Sequence, residues 1–135
     1  MKKQEERVLL YQFSDEAALA IQEVLRKLRI QASVLEPGAW HQRIGFLFAL
    51  KGFKPGSSEE ESFDFPYEAA VFHNIKGKRL DQVLQALKDA GIAHIKFKAV
   101  TTPFNLHWTL ARLCRTMHKE HAYMMERDKN SDEVR

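Results

Sequence analysis

Residues 8–35 read VLLYQFSDEAALAIQEVLRKLRIQASVL, and residues 69–100 read AAVFHNIKGKRLDQVLQALKDAGIAHIKFKAV. In the first stretch, Val8 to Phe13 is a short, nearly continuous apolar run, the pattern of a buried strand. Ser14 then offers a helix N-cap, and Asp15 and Glu16 suit the positive end of a helix dipole. Ile21, Val24, Leu25 and Leu28 recur at i, i+3, i+4 and i+7, one face of a helix, with Arg26, Lys27 and Arg29 at its cation-favouring end. Ile30 to Leu35 is a second strand. The other stretch repeats this order: a strand over Ala69–Ile75, a helix carrying Leu80, Val83, Leu84 and Leu87 and closed by Gly91, and a strand over Ile92–Val100.

Outside these stretches the halves stay in step. Pro37-Gly38 ends the second strand, and Trp40, Ile44, Leu47 and Phe48 have helical spacing with Gly52 as C-cap. Thr102 as N-cap and Pro103 at the first helical position open a last helix, which runs to about Arg127. The order is therefore strand-helix-strand-helix, twice, with the first strands starting about 61 positions apart (Val8 and Ala69). A proline and then a tryptophan follow the second strand in each half: Pro37 with Trp40, Pro103 with Trp108. Without residue-level identity this is an architectural echo, of the kind an old duplication leaves.

Helices between strands imply crossovers and a mostly parallel sheet. The expected fold is α/β, a four-stranded, mainly parallel sheet in the order 2-1-3-4, as in flavodoxin-like folds. The alternative is a ferredoxin-like α+β fold, which needs a short hairpin between the second and third strands. One domain over 1–135 is expected, with an ordered core of about 7–127. A mobile acidic loop is expected at about 54–66, carrying Glu59-Glu60-Glu61, and a polar tail at 128–135.

Composition excludes more than it includes. The chain has 135 residues, 44% hydrophobic and 29% charged, which suits one globular domain. Twenty-one basic against 18 acidic residues give a net charge of +3, too small to mark a nucleic-acid binder. Cys114 is the one cysteine, so no intrachain disulfide forms and a reducing compartment is expected. The first residues lack a secretory pattern, and the longest apolar stretch, Ile44–Leu50, is far short of the ~20 residues of a membrane helix. The expected localisation is cytoplasmic, with no membrane partner.

In a sheet of that order, ligands sit beyond the carboxyl ends of the strands. Ser14 follows the first strand, Lys76 and Lys78 the third, and Thr101, Thr102 and Asn105 the fourth. Lysines supply charge, and hydroxyls and an amide supply hydrogen bonds, so these six residues are the candidate anion site. The blander alternative is that Ser14 and Thr102 only cap helices. No Walker A sequence and no G-x-G-x-x-G occurs.

On the last helix, His107, Cys114, His118 and His121 fall on one side of the helix wheel. Cys114, His118 and His121 form a candidate Zn²⁺ site; otherwise they are the shoulder of an apolar stripe of Leu106, Leu110, Leu113, Met117 and Met124. No cofactor is otherwise implied. His73 lies in a strand with one face buried, where a packed, hydrogen-bonded histidine is the plain reading. Residues 76–119 hold nine basic and two acidic residues, a stretch able to meet nucleic-acid phosphates, although no nucleic-acid motif accompanies it.

The chain also resembles a family of small bacterial proteins, mainly from Firmicutes, classed as a domain of unknown function. The segments that carry the resemblance are Val8 to Ser14, Ile44 to Phe53 and Lys98 to Leu110, the last being the most specific. The chain departs from the family pattern at Thr101, where that pattern has leucine, and at Lys51, where it has proline. The resemblance implies a bacterial cytosolic origin and a stand-alone domain, and no activity, cofactor or catalytic residue.

Three functions follow in order. The first is a non-enzymatic binding or regulatory module for a small anionic ligand or a protein partner. The second is a nucleic-acid-associated protein using residues 76–119. The third is an enzyme acting on a phosphorylated or carboxylated small molecule at Lys76, Lys78 and Thr102, with only Asp15 and His73 at hand as bases.

Overall fold

The computed structural model describes residues 5–56 and 62–134, with backbone alone for 123–134. Four strands, β1 (Arg7–Tyr11), β2 (Gln31–Val34), β3 (Ala69–His73) and β4 (Phe97–Val100), form one sheet in the order β2-β1-β3-β4. The α-helices are α1 (Asp15–Lys27), α2 (Ile44–Leu47), α3 (Lys78–Asp89) and α4 (Leu110–Val134), with 3-10 turns at Pro37–His41 and Asn105–His107. The fold is α/β with the expected strand order.

Alternation along β1 builds a core on each face of the sheet. Val8 and Leu10 meet Ala18, Ile21 and Leu25 of α1 and Val83 and Leu87 of α3. Leu9 and Tyr11 meet Ile44 and Phe48 on one side of the other face, and Leu110, Leu113 and Met117 of α4 on the other. The result is three layers: α1 and α3, the sheet, then α2, α4 and both 3-10 turns.

The two outer pairs are parallel, as expected, but the central pair β1–β3 is antiparallel. The physical reason lies in the connection from Val34 to Ala69. Among its described residues the one α-helix, α2, has four residues and rises only about 6 Å, too little to return the chain along the length of a strand. The chain therefore re-enters the sheet at the end where it left. The ferredoxin-like alternative is also overturned, since β2 and β3 are neither neighbours nor joined by a hairpin.

The echo between halves is a near-twofold symmetry centred on the Leu9–Val71 pair. Ile30 N donates to Leu25 O, and Ile92 N to Leu87 O. Leu35 N donates to Leu10 O, and Thr101 N to Phe72 O. Gln12 and Asn74, both at positive φ, end β1 and β3. Gln12 Nε2 donates to the carbonyls of Phe65 and Tyr67 just before β3, and Asn74 Nδ2 to that of Glu5 just before β1.

The same symmetry explains two helix boundaries. The residues from Trp40 to Phe48 do not form one helix. Gln42 and Arg43 are extended, because Ile44 N donates to Trp108 O while Leu110 N donates to Gln42 O, pairing Arg43 with Thr109. For the same reason the last helix begins at Leu110, not at Thr102, and Thr109 Oγ1 caps it by accepting from Arg112 N. Cross-pairing of the two halves outweighs the helical spacing. Ala49 (φ 56) takes the left-handed position directly after the α2 C-cap, Phe48; Gly52, expected to close the helix, lies three residues further on, also at positive φ (93). At its far end α4 continues to Val134 rather than stopping near Arg127, and residues 128–134 contain no glycine or proline to break it.

Glu59-Glu60-Glu61 of the expected acidic loop lie outside the described residues. Beyond them, Phe65 is buried in the core and Phe63 stacks on Trp40. Among the described residues no helix is long and apolar enough to cross a membrane.

Candidate ligand groove between α3 and β4

The halves part company where α3 runs into β4. Ile30 and Ile92 correspond at 62 positions apart, but Leu35 and Thr101, or Gln42 and Trp108, correspond at 66. The second half has gained four residues. They fall in the connection between Asp89 and Phe97, where the first half passes from Lys27 to Gln31. Ile92–Val100 was expected to be one strand; only Phe97–Val100 is.

In the first half, Gln22 on α1 reaches across and donates to Ala32 O on β2 at 2.9 Å, closing the space between helix and edge strand. In the second half the longer connection holds that space open. The groove has a volume of about 610 Å³ and is lined by Leu84, Leu87, Ile92, Ala93 and Ile95, with Asp81, Gln85, Lys88, His94 and Lys98 among them. That volume and a mainly apolar wall with a few polar groups are what small-molecule sites have.

Lys98 is the chemically distinctive member. It stands at the position of Ala32 in the other half, and its ammonium donates to Ile95 O at 2.8 Å, inside the added connection. Burial alone pushes the Lys98 amine below its ordinary range. Its remaining N–H donors and those of Lys88 and His94 share the groove with one carboxylate among the described residues, that of Asp81. The arrangement suits a ligand with an apolar body and an anionic head.

The residues expected to bind an anion do not converge. The antiparallel centre of the sheet puts Ser14 at one end and the residues following β3 and β4 at the other. Ser14 Oγ accepts from Ala17 N at 3.1 Å and caps α1; it also lines a cavity of about 320 Å³ that shares Ile92 and Ala93 with the groove. Thr101 Oγ1 lies 2.8 Å from His73 Nδ1. Thr102 and Asn105 bind each other: Thr102 N donates to Asn105 Oδ1, Asn105 N to Thr102 Oγ1, and Asn105 Nδ2 to Val100 O. Lys76 and Lys78 are exposed at that end. Asp15 and His73 are likewise at opposite ends of the sheet.

His73 is packed as its strand position implies. It is buried, its ring lies 4.8 Å from that of Phe48, and burial, with Arg7 in register beside it, lowers its pKa. Cys114 is fully buried, and that burial raises its thiol to about 12. His118 stacks on Tyr67 at 5.5 Å, and His121 meets the Phe97 ring edge-on at 5.4 Å. His107 is not on α4 at all; it closes a 3-10 turn. Among the described residues no three His, Cys, Asp or Glu side chains gather as metal ligands.

The basic stretch 76–119 does not form one surface. Lys78, Arg79 and Lys88 ride on α3, whereas Arg112, Arg115 and Lys119 ride on α4 across the sheet. Arg79 is paired with Glu6 at 2.8 Å, and Arg115 lies over the Phe63 ring.

Residues 68–124 match the family model of a domain of unknown function (DUF3783). The match bears out the expected resemblance to such a family. It covers the second half of the symmetric fold, with the four added residues and the whole groove. No curated protein and no solved structure matches the chain.

Proposed function

We propose that the protein is a non-enzymatic binding module of the bacterial cytoplasm, which holds a small anion with an apolar body in the groove between α3 and β4. The observation that carries this reading is the break in the twofold design between α3 and β4. Four added residues keep open a groove that its counterpart closes, and they give Lys98, a partly desolvated cation, a carbonyl to hold its ammonium at the groove floor. The apolar wall supplies affinity and Lys98 supplies the preference for an anionic head. Its place within the matched segment 68–124 supports the groove as a property of the shared unit.

The test is thermal unfolding in octanoate, an apolar chain with a carboxylate head. At about 100 times its dissociation constant it stabilises the protein by about 2.7 kcal/mol, a rise of several degrees in Tm. Lys98→Met removes most of that rise and leaves the groove's volume in place. An unchanged Tm in octanoate, or an equal rise in Lys98→Met, overturns the reading.

A further inference from the structure

We infer that a third cavity, on the other side of the sheet, is a phosphate-binding site. It has a volume of about 400 Å³ and is lined by Arg43, Gly52, Phe53, Lys54 and His107. A guanidinium, an amine and an imidazole converge on it from three separate segments, and no carboxylate among the described residues lines it.

Each segment is held. Arg43 sits between the two backbone hydrogen bonds that lock the halves together, Ile44 N to Trp108 O and Leu110 N to Gln42 O, both 2.9 Å. Its backbone is therefore fixed on both sides. His107 closes the 3-10 turn on the partner half and lies 5.1 Å from the Phe53 ring. Phe53 is seated by the absence of a side chain at Gly45: a Cβ there would overlap the Phe53 ring. Ala49 (φ 56) and Gly52 (φ 93) bend the intervening chain back, with Leu50 N bonded to Gly45 O, and this brings Lys54 to the cavity that Arg43 also lines.

The chemistry fits a phosphate group. A guanidinium presents paired N–H donors to two oxygens, an ammonium adds a point charge, and an imidazole adds a further donor. This site shares no residue with the α3–β4 groove and lies on the opposite face of the sheet, so the two stand or fall separately.

Amide NMR spectra of the full chain, titrated with inorganic phosphate and with sodium chloride at matched ionic strength, test the inference. Phosphate gives saturable shifts centred on residues 43, 52–54 and 107. The exposed-side-chain variants Arg43→Gln and Lys54→Met each weaken that response by about tenfold. Equal shifts from chloride, or phosphate shifts centred on Lys76, Lys78 or Lys119, overturn it.

Discussion

Arg29 and Gly91 occupy the same place, one residue beyond the C-caps of α1 and α3, and both have positive φ, 62 and 79°. A glycine adopts that conformation freely, and a side chain is strained in it by about 1 kcal/mol. Arg29 is exposed, so Arg29→Gly is expected to stabilise the protein by about 1 kcal/mol and Gly91→Ala to destabilise it by a similar amount, both read from urea unfolding. His73 sets a pH dependence. Burial keeps its folded-state pKa below the ordinary value of about 6.5, so the unfolded chain takes up the proton first. Stability is therefore full above that value and declines as pH falls through it; His73→Gln flattens the slope below pH about 6.5 in acid unfolding curves. Cys114, buried with its thiol near 12, is expected to react with iodoacetamide only as fast as the protein opens. A native-state rate close to that of a free thiol contradicts that burial. At this scale the sequence was readable for what a residue is and less so for what it touches. His73 and Cys114 read as packed residues and are packed. Thr102 read both as a helix cap and, with Asn105, as a possible anion ligand; the two side chains instead bond to each other's backbone, Thr102 Oγ1 accepting from Asn105 N as a capping side chain does.

Among elements, α1 and α3 were legible because each carries an apolar stripe at helical spacing between clear stop signals. The segments around Arg43 and Thr109 were not, since their extended backbone is imposed by a partner 66 positions away. The antiparallel centre of the sheet was hidden for a similar reason: strand direction depends on where the chain returns, and α2 looked longer than it is. Gly45 belongs to this scale too. Gly45→Ala forces Phe53 off α2 and is expected to destabilise by about 1–3 kcal/mol in urea unfolding. The loss of ordered Phe53–His107 packing would show as altered His107 ring resonances. A variant as stable as the parent would mean that the 49–54 loop is not seated by that contact.

Across the whole molecule the structure is two like halves joined through β1–β3 and through the Arg43–Thr109 bridge. Its pairs Leu25 with Leu87, Ile30 with Ile92, Pro37 with Pro103 and His41 with His107 escape comparison at one fixed spacing, because the spacing changes from 62 to 66 partway. The groove escaped with them. Half of its lining residues lie in a stretch that reads as a strand, Ile92–Val100, and the available signal was length: nine residues there against five in its counterpart, Ile30–Val34. Of the added stretch, Ile95 is buried in the core, and with Ala93 and His94 it also walls the groove on which the proposed ligand site rests. The most direct measurement is an amide NMR titration of the full chain with octanoate. Shifts confined to residues 81–98, with Lys98 side-chain resonances moving on the same saturation curve, are the predicted result. Shifts spread over the surface, or a groove left unperturbed at saturation, would contradict it.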